Sequence, residues 1–309
     1  MKLYCTLFLT FLLIAIEIKA QIPDDSQSWL NQYFSAVRKG ESPSMNGVLV
    51  DNPQNAESLL RALGAYYADS LYSVRKQAYG ISTRIGLKST VLSLRQQVVL
   101  QLLNGCEDAR LGSRNSRNLM KFQKGDFSNK ARGVLLRLIT PQSPGLERLL
   151  RITGYLEVEG GEEVIIQLIK QGGLKAKTKW AGQLALARMG NEQAINIIME
   201  RVYQQQVNDA LVYDLLPELM YTRHSLAINY MVEVLNSDDR NCYPPNPDAT
   251  KKILCGYRVM EYLAKVIEGF PLKTGRSGDI QTDDYKEALK ISRDWFVSRG
   301  DNYVINREQ

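Results

Sequence analysis

The chain has 309 residues, of which 44% are apolar and 23% charged, and its formal net charge is +6. These values are ordinary for a folded protein and exclude a disordered chain, which combines few apolar residues with a high net charge. The single histidine in the sequence excludes a histidine-based metal cluster, because such a site needs several imidazoles close together.

The N-terminal segment 1–20 differs from the rest of the chain. Lys2 gives it a positive start, and an apolar run follows from Leu7 to Ile16 with one interruption. The run is too short to cross a bilayer, which takes roughly 20 helical residues, but it matches the apolar part of a secretory signal peptide. We therefore expect cleavage near Ala20 and an extracytoplasmic protein, periplasmic or secreted, with no later membrane span. An uncleaved N-terminal anchor is the alternative.

The spacing of apolar residues predicts a chain of helices. Residues of this kind recur three and four positions apart, which gives each helix one buried face. A tight junction at Gly190-Asn191 fits a glycine that ends one helix and an asparagine that caps the next. Pro217 should kink or end the helix that contains it. In chain order, helices are predicted over 57–67, 74–85, 91–103, 130–139, 146–156, 162–170, 175–189, 194–203, 210–221, 226–235, 250–267 and 283–299, with a polar insertion at 105–125 that carries a short basic helix.

The stretch from Thr178 to Gly190 resembles the second helix of HEAT repeats. That family's helix reads Val-Arg-x-x-Ala-Ala-x-Ala-Leu-x-x-Leu-Gly, often with an Asp five residues upstream. Three frames reproduce the pattern: Asp69, Val74, Arg75, Ala78, Ile85 and Gly86; Asp126, Ala131, Arg132, Leu135 and Leu138; Thr178, Lys179, Trp180, Ala181, Leu184, Met189 and Gly190. The third frame has Gly173 where the Asp would stand.

The resemblance implies an all-α fold, a right-handed α-α superhelix (a HEAT-like solenoid) of about five or six helix pairs. Each pair would bury its apolar face on its neighbours, in one domain over 21–309 whose best repeats lie in 160–236. A compact irregular bundle is the alternative. In this family, Asp and Arg side chains form a hydrogen-bonded ladder along the inter-repeat turns. The matching positions here are Asp69, Arg75, Asp126 and Arg132.

Three cysteines would remain after cleavage: Cys106, Cys242 and Cys255. The last two bracket a proline-rich stretch typical of a loop. In an oxidising compartment, a bridge between them would close a loop of about 14 residues, for which loop entropy gives about 3 kcal/mol. The alternative is two half-buried thiols, because spacing alone does not fix the distance between Cα atoms. Cys106 is expected to be a buried small residue.

Motifs for catalysis are weak. The sequence has no Gly-x-Ser-x-Gly elbow, phosphate loop, dinucleotide fingerprint or Cys-x-x-Cys pair. His224 lies in a predicted turn between helices, where we expect a capping or solvent-facing residue rather than a catalyst. The acid pairs Glu162-Glu163 and Asp283-Asp284 could serve glycan hydrolysis, with some of the 16 tyrosines stacking on sugars. Both pairs begin predicted helices, however, where they complement the helix dipole. We expect no enzyme, no catalytic residue, no metal and no cofactor.

The excess of positive charge lies in the middle of the chain, since residues 109–180 carry 14 basic and 6 acidic side chains. A binding surface for an acidic partner is one interpretation, and a solvated polar face is the other. The candidate surface consists of Arg110, Arg114, Arg117, Lys121, Lys124, Lys175, Lys177 and Lys179.

These observations favour a non-catalytic exported scaffold that presents a helical-repeat groove to a protein partner, in the cell envelope or outside the cell. One alternative is a glycan-active all-helical enzyme that uses paired carboxylates. The other is a binding module for an anionic polymer through the basic segment 110–179. Nucleic acid is not expected, because helical-repeat proteins that bind DNA work inside cells.

Overall fold

A computed structural model describes residues 24–246 and 248–308 of the chain. Over these ranges the fold is all-α: it contains fifteen α-helices, and the only β pairing consists of isolated bridges. No helix within the described ranges has the length and apolar content needed to span a membrane. The predicted signal peptide, 1–20, lies outside the described residues.

Contacts divide the described part of the chain into two compact units, the first ending at Lys88 and the second beginning at Ser89. This division was not predicted from the sequence. In the first unit, α1, α3 and α4 pack on one another, and Phe34 stacks on Tyr66 with their ring centres 3.9 Å apart. The helices of the first unit are α1 (Asp24–Arg38), α2 (Gly47–Val50), α3 (Ala56–Leu63) and α4 (Tyr72–Lys88).

Seven helices of the second unit form two rows. Helices α8, α10, α12 and α14 contact one another in that order, α11, α13 and α15 do the same, and consecutive helices pack as pairs. Stacked helix pairs produce this pattern of contacts. The helices of the second unit are α5 (Leu92–Asn104), α6 (Gly112–Leu119), α7 (Asn129–Arg137), α8 (Leu146–Leu156), α9 (Gly161–Gln171), α10 (Ala176–Arg188), α11 (Glu192–Tyr203), α12 (Leu216–Thr222), α13 (Ser225–Asn236), α14 (Gly256–Val266) and α15 (Tyr285–Arg299).

Helix α10 is the central helix of this unit. Every residue from 181 to 188 is buried, so this C-terminal part of the helix is enclosed on all sides. Its neighbour α8 approaches it closely at Gly154, where a Cβ atom would lie 2.7 Å from the Cα atom of Ala185. A side chain at this position would therefore force the two helices apart.

The predicted helix 210–221 is interrupted at its proline. Leu211–Leu215 forms a π-helical turn, and α12 begins at Leu216 with Pro217 in its first turn. Proline has no N–H to donate, and its ring would clash with the carbonyl four residues earlier, so a regular α-helix cannot run through it. The wider turn places the side chains of 211–215 differently from those of an α-helix, next to the cleft described below.

The predicted ladder residues bind helix ends in both units. Arg38 donates to Asp69 at 2.6 Å, and Arg95 donates to Asp126 at 2.7 Å. In each pair the arginine precedes the aspartate by 31 residues. The two ion pairs share this spacing but not their place in a helix, since Arg38 ends α1 and Arg95 lies in the first turn of α5.

The two ladder arginines, Arg75 and Arg132, bind main-chain carbonyls. Arg75 Nη1 donates to the carbonyl oxygen of Asp69 at 2.7 Å, and Arg132 Nη1 donates to that of Leu156 at 2.8 Å. Carbonyls at helix ends have no partner within their own helix, so these arginines satisfy main-chain groups at the turns. Arg75 and Arg132 therefore stabilise the turns between helices.

Candidate functional site

A cleft of about 540 Å³ opens in the second unit, between the π-helical turn, the loop around Cys242, and helices α14 and α15. We call it the tyrosine cleft. Its size is within the range of small-molecule and peptide-anchor sites, roughly 300–1,000 Å³. Its lining residues are Asp209, Val212, Tyr213, Cys242, Tyr243, Pro245, Ile253, Leu254, Cys255, Tyr257, Arg258, Glu261, Asp279 and Tyr285.

A disulfide holds the loop that forms one wall of the cleft. Cys242 and Cys255 are joined, with their Cα atoms 5.1 Å apart. The main chains of Cys242 and Ile253 also exchange two hydrogen bonds, of 3.2 and 2.7 Å. The loop is tied to the π-helical side through Asp209, whose carboxylate accepts from the N–H of Tyr243 at 3.1 Å. These links fix the position of Tyr243 at the mouth of the cleft.

Carboxylates outnumber cations in the cleft. Among the lining residues that the structure describes, Asp209, Glu261 and Asp279 are acidic and Arg258 is the one basic residue. Arg258 Nη1 contacts both Glu261 and Asp279, the latter at 3.4 Å. The cleft is therefore locally negative in a chain whose net charge is positive.

Glu261 is the buried member of this group, with 3% of its surface exposed. Besides Arg258, it accepts a hydrogen bond of 2.9 Å from the hydroxyl of Tyr285. Burial, and then this bond to Glu261, raise the pKa of Tyr285 to about 12. The hydroxyl therefore keeps its proton and remains a donor at neutral pH.

Four tyrosine rings face the cleft, and two of them already carry a cation. The guanidinium carbon of Arg258 lies 5.3 Å from the ring centre of Tyr213, and Lys252 Nζ lies 5.2 Å from that of Tyr243. The rings of Tyr257 and Tyr285 meet edge to face with their centres 6.3 Å apart. The distances of Arg258 and Lys252 from these ring centres are short enough for attraction between a cation and an aromatic face.

The acid pairs singled out in the sequence stand at helix starts and are not among the residues that line the cleft, although Asp284 directly precedes the lining residue Tyr285. Asp284 caps α15 and accepts from the N–H of Lys286 at 2.9 Å. Glu162, in the first turn of α9, accepts from the side chain of Asn191 at 2.8 Å. Both pairs therefore lie where a carboxylate complements the helix dipole.

The predicted basic surface does not meet the tyrosine cleft, since none of its eight residues lines it. Helix α6 ends at Leu119, so Lys121 and Lys124 follow the helix instead of continuing its face. Lys124 has 17% of its side chain exposed, and its Nζ lies 5.4 Å from the ring centre of Tyr155. The other seven are exposed: Arg110, Arg114, Arg117, Lys121, Lys175, Lys177 and Lys179.

Two further residues noted in the sequence have structural roles: His224 caps a helix and Cys106 lies in the core. The Nδ1 atom of His224 accepts from the N–H of Leu226 at 3.3 Å at the start of α13. Cys106 is fully buried, and burial, followed by Glu107, raises the pKa of its thiol to about 12. A neutral buried thiol of this kind packs as a small apolar residue.

Sequence reasoning did not find the tyrosine cleft, although part of its signal was present. The pair Cys242 and Cys255 marked the loop, and Arg258 and Glu261 stand three residues apart on one helical face. In the described part of the chain, no group of three or more His, Cys, Asp or Glu residues could hold a metal ion. Comparison with models of known protein families, with curated proteins and with solved structures found no match.

Proposed function

We propose that this chain is an exported, non-catalytic interaction protein, and that its tyrosine cleft binds a basic segment of a protein partner. The observation that carries the proposal is the lining of the cleft, in which four tyrosines and three carboxylates surround one arginine. Tyrosine supplies large contact area at a low entropy cost and is enriched where binding energy is concentrated. The excess of carboxylates favours a positively charged ligand.

The chain's own cations support this choice of ligand. Lys252 and Arg258 each lie within 5.5 Å of a tyrosine ring centre, so the rings are placed to receive a lysine or an arginine. Asp279 has 52% of its side chain exposed and can accept from an incoming side chain. A partner's arginine could therefore lie on a ring face while it contacts a carboxylate at the rim.

A scaffold made of HEAT-like helix pairs fits this role. The alternating contacts of helices in the second unit support the resemblance. The right-handed superhelix, the groove that such a stack would offer and the signal peptide are parts of the same proposal. A mature protein that begins near Gln21, measured by mass spectrometry of secreted or periplasmic material, is the expected result.

Glycan hydrolysis is less well supported by the same cleft. A glycosidase needs two carboxyl groups with the glycosidic bond between them. Here Glu261 and Asp279 both contact Arg258 Nη1, so a guanidinium fills the position where a substrate would have to lie. The arrangement suits ligand binding better than bond cleavage.

The binding module for an anionic polymer has one favourable observation, the exposure of seven of its eight candidate residues. Exposed lysines and arginines attract polyanions, and the attraction falls with salt. Charge reversal of Arg114, Arg117 and Lys121 should then weaken binding of heparin, used as a model polyanion, and flatten its salt dependence. Binding that is unchanged in this variant would dismiss the alternative.

The test of the proposed cleft uses a fluorescein-labelled peptide, Gly-Arg-Gly-Arg-Gly, and its counterpart with glutamine in place of arginine. Fluorescence anisotropy at physiological salt should show tighter binding of the arginine peptide. Replacing Tyr243 with alanine should weaken it about 2- to 30-fold, since a cation–π contact contributes roughly 0.5–2 kcal/mol. Equal binding of the two peptides would contradict the proposal.

A matched control separates the cleft from general effects of losing a tyrosine. Tyr203 is exposed to a similar degree, 60% against 54% for Tyr243, and it lies in α11, away from the cleft. The Tyr203→Ala variant should bind the arginine peptide as the wild type does. An equal loss in both variants would place the peptide elsewhere.

A further inference from the structure

The C-terminal segment 303–308 lies along the C-terminal ends of α14, α12, α10 and α8, and we call it the C-terminal strap. Its main chain pairs with the residues at the end of α14. The N–H of Asn306 donates to the carbonyl oxygen of Val266 at 2.8 Å, and the N–H of Glu268 donates to that of Val304 at 2.9 Å. The strap is therefore an extended segment that begins its contacts at one end of the row of helices.

Three consecutive carbonyl oxygens of the strap, those of residues 306–308, each accept a hydrogen bond from a different helix end. Arg223 Nε donates to the first at 2.8 Å, Arg188 Nη2 to the second at 2.6 Å, and the hydroxyl of Tyr155 to the third at 3.1 Å. These donors stand at the ends of α12, α10 and α8. A row of side chains, one from each helix, thus binds the main chain of an extended segment.

The side chain of Arg307 lies among the same helix ends. Its Nη1 donates to the carbonyl oxygen of Arg223 at 3.2 Å, and its Nη2 donates to that of Arg188. The guanidinium also pairs with the carboxylate of Glu157 at 2.6 Å. Because the C-terminal end of a helix carries partial negative charge, the ends of α8, α10 and α12 together form a site that suits a guanidinium.

Two of the residues that Arg307 contacts have an unusual backbone. In the described part of the chain, Glu157 and Arg223 are the two residues other than glycine with a positive φ, of 49° and 50°. Each caps the end of a helix, α8 in the first case and α12 in the second. Such conformations persist where the surroundings hold them in place, and they are concentrated at ligand sites and in segments that switch. The strap supplies part of that support through Arg307.

Polar bonds, rather than buried apolar side chains, attach the strap. None of residues 301–308 is buried, and Val304 has 59% of its surface exposed. A segment with few buried apolar contacts and accessible main-chain bonds opens locally, at a lower free energy than the whole fold unfolds. Opening of the strap would uncover the three donors together with the carbonyls that bind Arg307.

We propose that the C-terminal strap is a ligand bound in cis, and that the helix ends beneath it form a peptide-binding surface that opens when the strap detaches. The partner that fits is an extended segment with one arginine, because the surface offers donors to three consecutive carbonyls and a site for a guanidinium. The strap acts as an autoinhibitory contact, since a competing segment binds only in the fraction of molecules whose strap is open. This surface shares no residue with the lining of the tyrosine cleft and does not rest on the function proposed for it.

The test loosens the strap in the full chain and offers its sequence in trans. The probe is the fluorescein-labelled peptide Tyr-Val-Ile-Asn-Arg-Glu-Gln, the sequence of residues 303–309, and fluorescence anisotropy follows its binding. Arg307→Gln removes the pairing with Glu157 and weakens both carbonyl contacts, so the peptide should bind about 10-fold more tightly than to the wild type. Arg137→Gln makes the same charge change at an exposed position of α7 and should leave the wild-type affinity unchanged. Equal affinity of all three proteins would overturn the proposal.

Two further variants, both made in the Arg307→Gln chain, locate the bound peptide. Glu157→Gln removes the carboxylate that receives the peptide's arginine and should weaken binding about 10-fold. Tyr243→Ala, in the tyrosine cleft, should leave the affinity unchanged. A loss caused by Tyr243→Ala and not by Glu157→Gln would assign the peptide to the tyrosine cleft and overturn the proposal.

Hydrogen exchange of the wild-type chain tests the same opening without a substitution, in case Arg307→Gln does not fold. The amides of Asn306 and Glu268 pair the strap with the end of α14. They should exchange about 10-fold or more faster than the amides of the buried residues 181–188 in α10. Exchange as slow as that of α10 would mean that the strap opens only when the whole unit unfolds, and it would overturn the proposal.

Discussion

The close approach of α8 and α10 predicts that Gly154→Ala destabilises the second unit. A Cβ atom at this position would lie 2.7 Å from the Cα atom and 2.8 Å from the carbonyl oxygen of Ala185. It would also lie 2.6 Å from the hydroxyl of Tyr221, which itself donates to the carbonyl of Arg151. Two of these atoms belong to the backbone of α10 within its buried part, 181–188, so they cannot rotate away.

The expected size of the effect follows from two opposing contributions. Inserting a methyl group into a well-packed core costs about 1–3 kcal/mol, and backbone contacts place this site at the upper end. Alanine within a helix gains roughly 0.5–1 kcal/mol over glycine. The net loss is therefore about 2 kcal/mol, which for a unit of this size lowers Tm by about 4–8 °C.

Gly133 supplies the matched control, because it lies inside α7 and a Cβ atom there would meet nothing within 4 Å. Gly133→Ala should therefore keep only the helical gain and raise Tm by about 1–4 °C. Thermal unfolding followed by far-ultraviolet circular dichroism measures both variants. If Gly154→Ala raised Tm as Gly133→Ala does, the contact between α8 and α10 would be wrong.

Two further predictions concern the cysteines. Replacing both Cys242 and Cys255 with serine removes a cross-link between residues 13 apart. This should lower the free energy of unfolding by about 3 kcal/mol, lower Tm accordingly and weaken binding of the arginine peptide. An unchanged Tm would contradict the prediction. For Cys106, burial raises the pKa of the thiol to about 12, above its ordinary value of about 8.5. The thiol of the unfolded chain therefore loses its proton at a lower pH than the buried thiol. The neutral buried thiol stabilises the fold fully below pH 8.5, and this contribution is lost as the pH rises toward 12. Urea unfolding at pH 8 and pH 11 should therefore show a smaller loss of stability in Cys106→Ala than in the wild type, and equal losses would refute the assignment.

Local periodicity was enough to predict most helices of the second unit. The predicted span 146–156 coincides with α8, because its apolar positions recur with helical spacing and Gly145 precedes it with a positive φ of 75°. The predicted span 250–267 begins six residues before α14, which starts at Gly256. The chain before Gly256 is joined to Cys242 by the disulfide and by main-chain bonds, and these long-range links override the local helical pattern.

The first helix, α1, was not predicted. Leu30, Phe34 and Val37 are spaced four and three residues apart and are all buried, so the pattern was present in the sequence. Helix α1 begins shortly after the predicted cleavage site near Ala20, and this part of the chain was interpreted as the start of the mature protein rather than as a helix. The helix was therefore overlooked although its apolar spacing was present.

The tyrosine cleft and the burial of Arg188 were beyond sequence reasoning for a physical reason. The tyrosine cleft combines residues from 209 to 285, and no local window contains its charge balance. Arg188 stands in an alanine- and leucine-rich helix, where an arginine normally reaches water. Its burial depends on the carbonyl of Arg307, 119 residues later in the chain.

The charge balance of the tyrosine cleft sets how a ligand can be held there. Arg258 contacts two carboxylates, and the remaining excess is negative and partly exposed at Asp279. A ligand in the cleft meets a rim that water and salt can reach, so its cation gains only a modest, screened attraction. The tyrosine rings must therefore supply most of the contact area that holds the ligand.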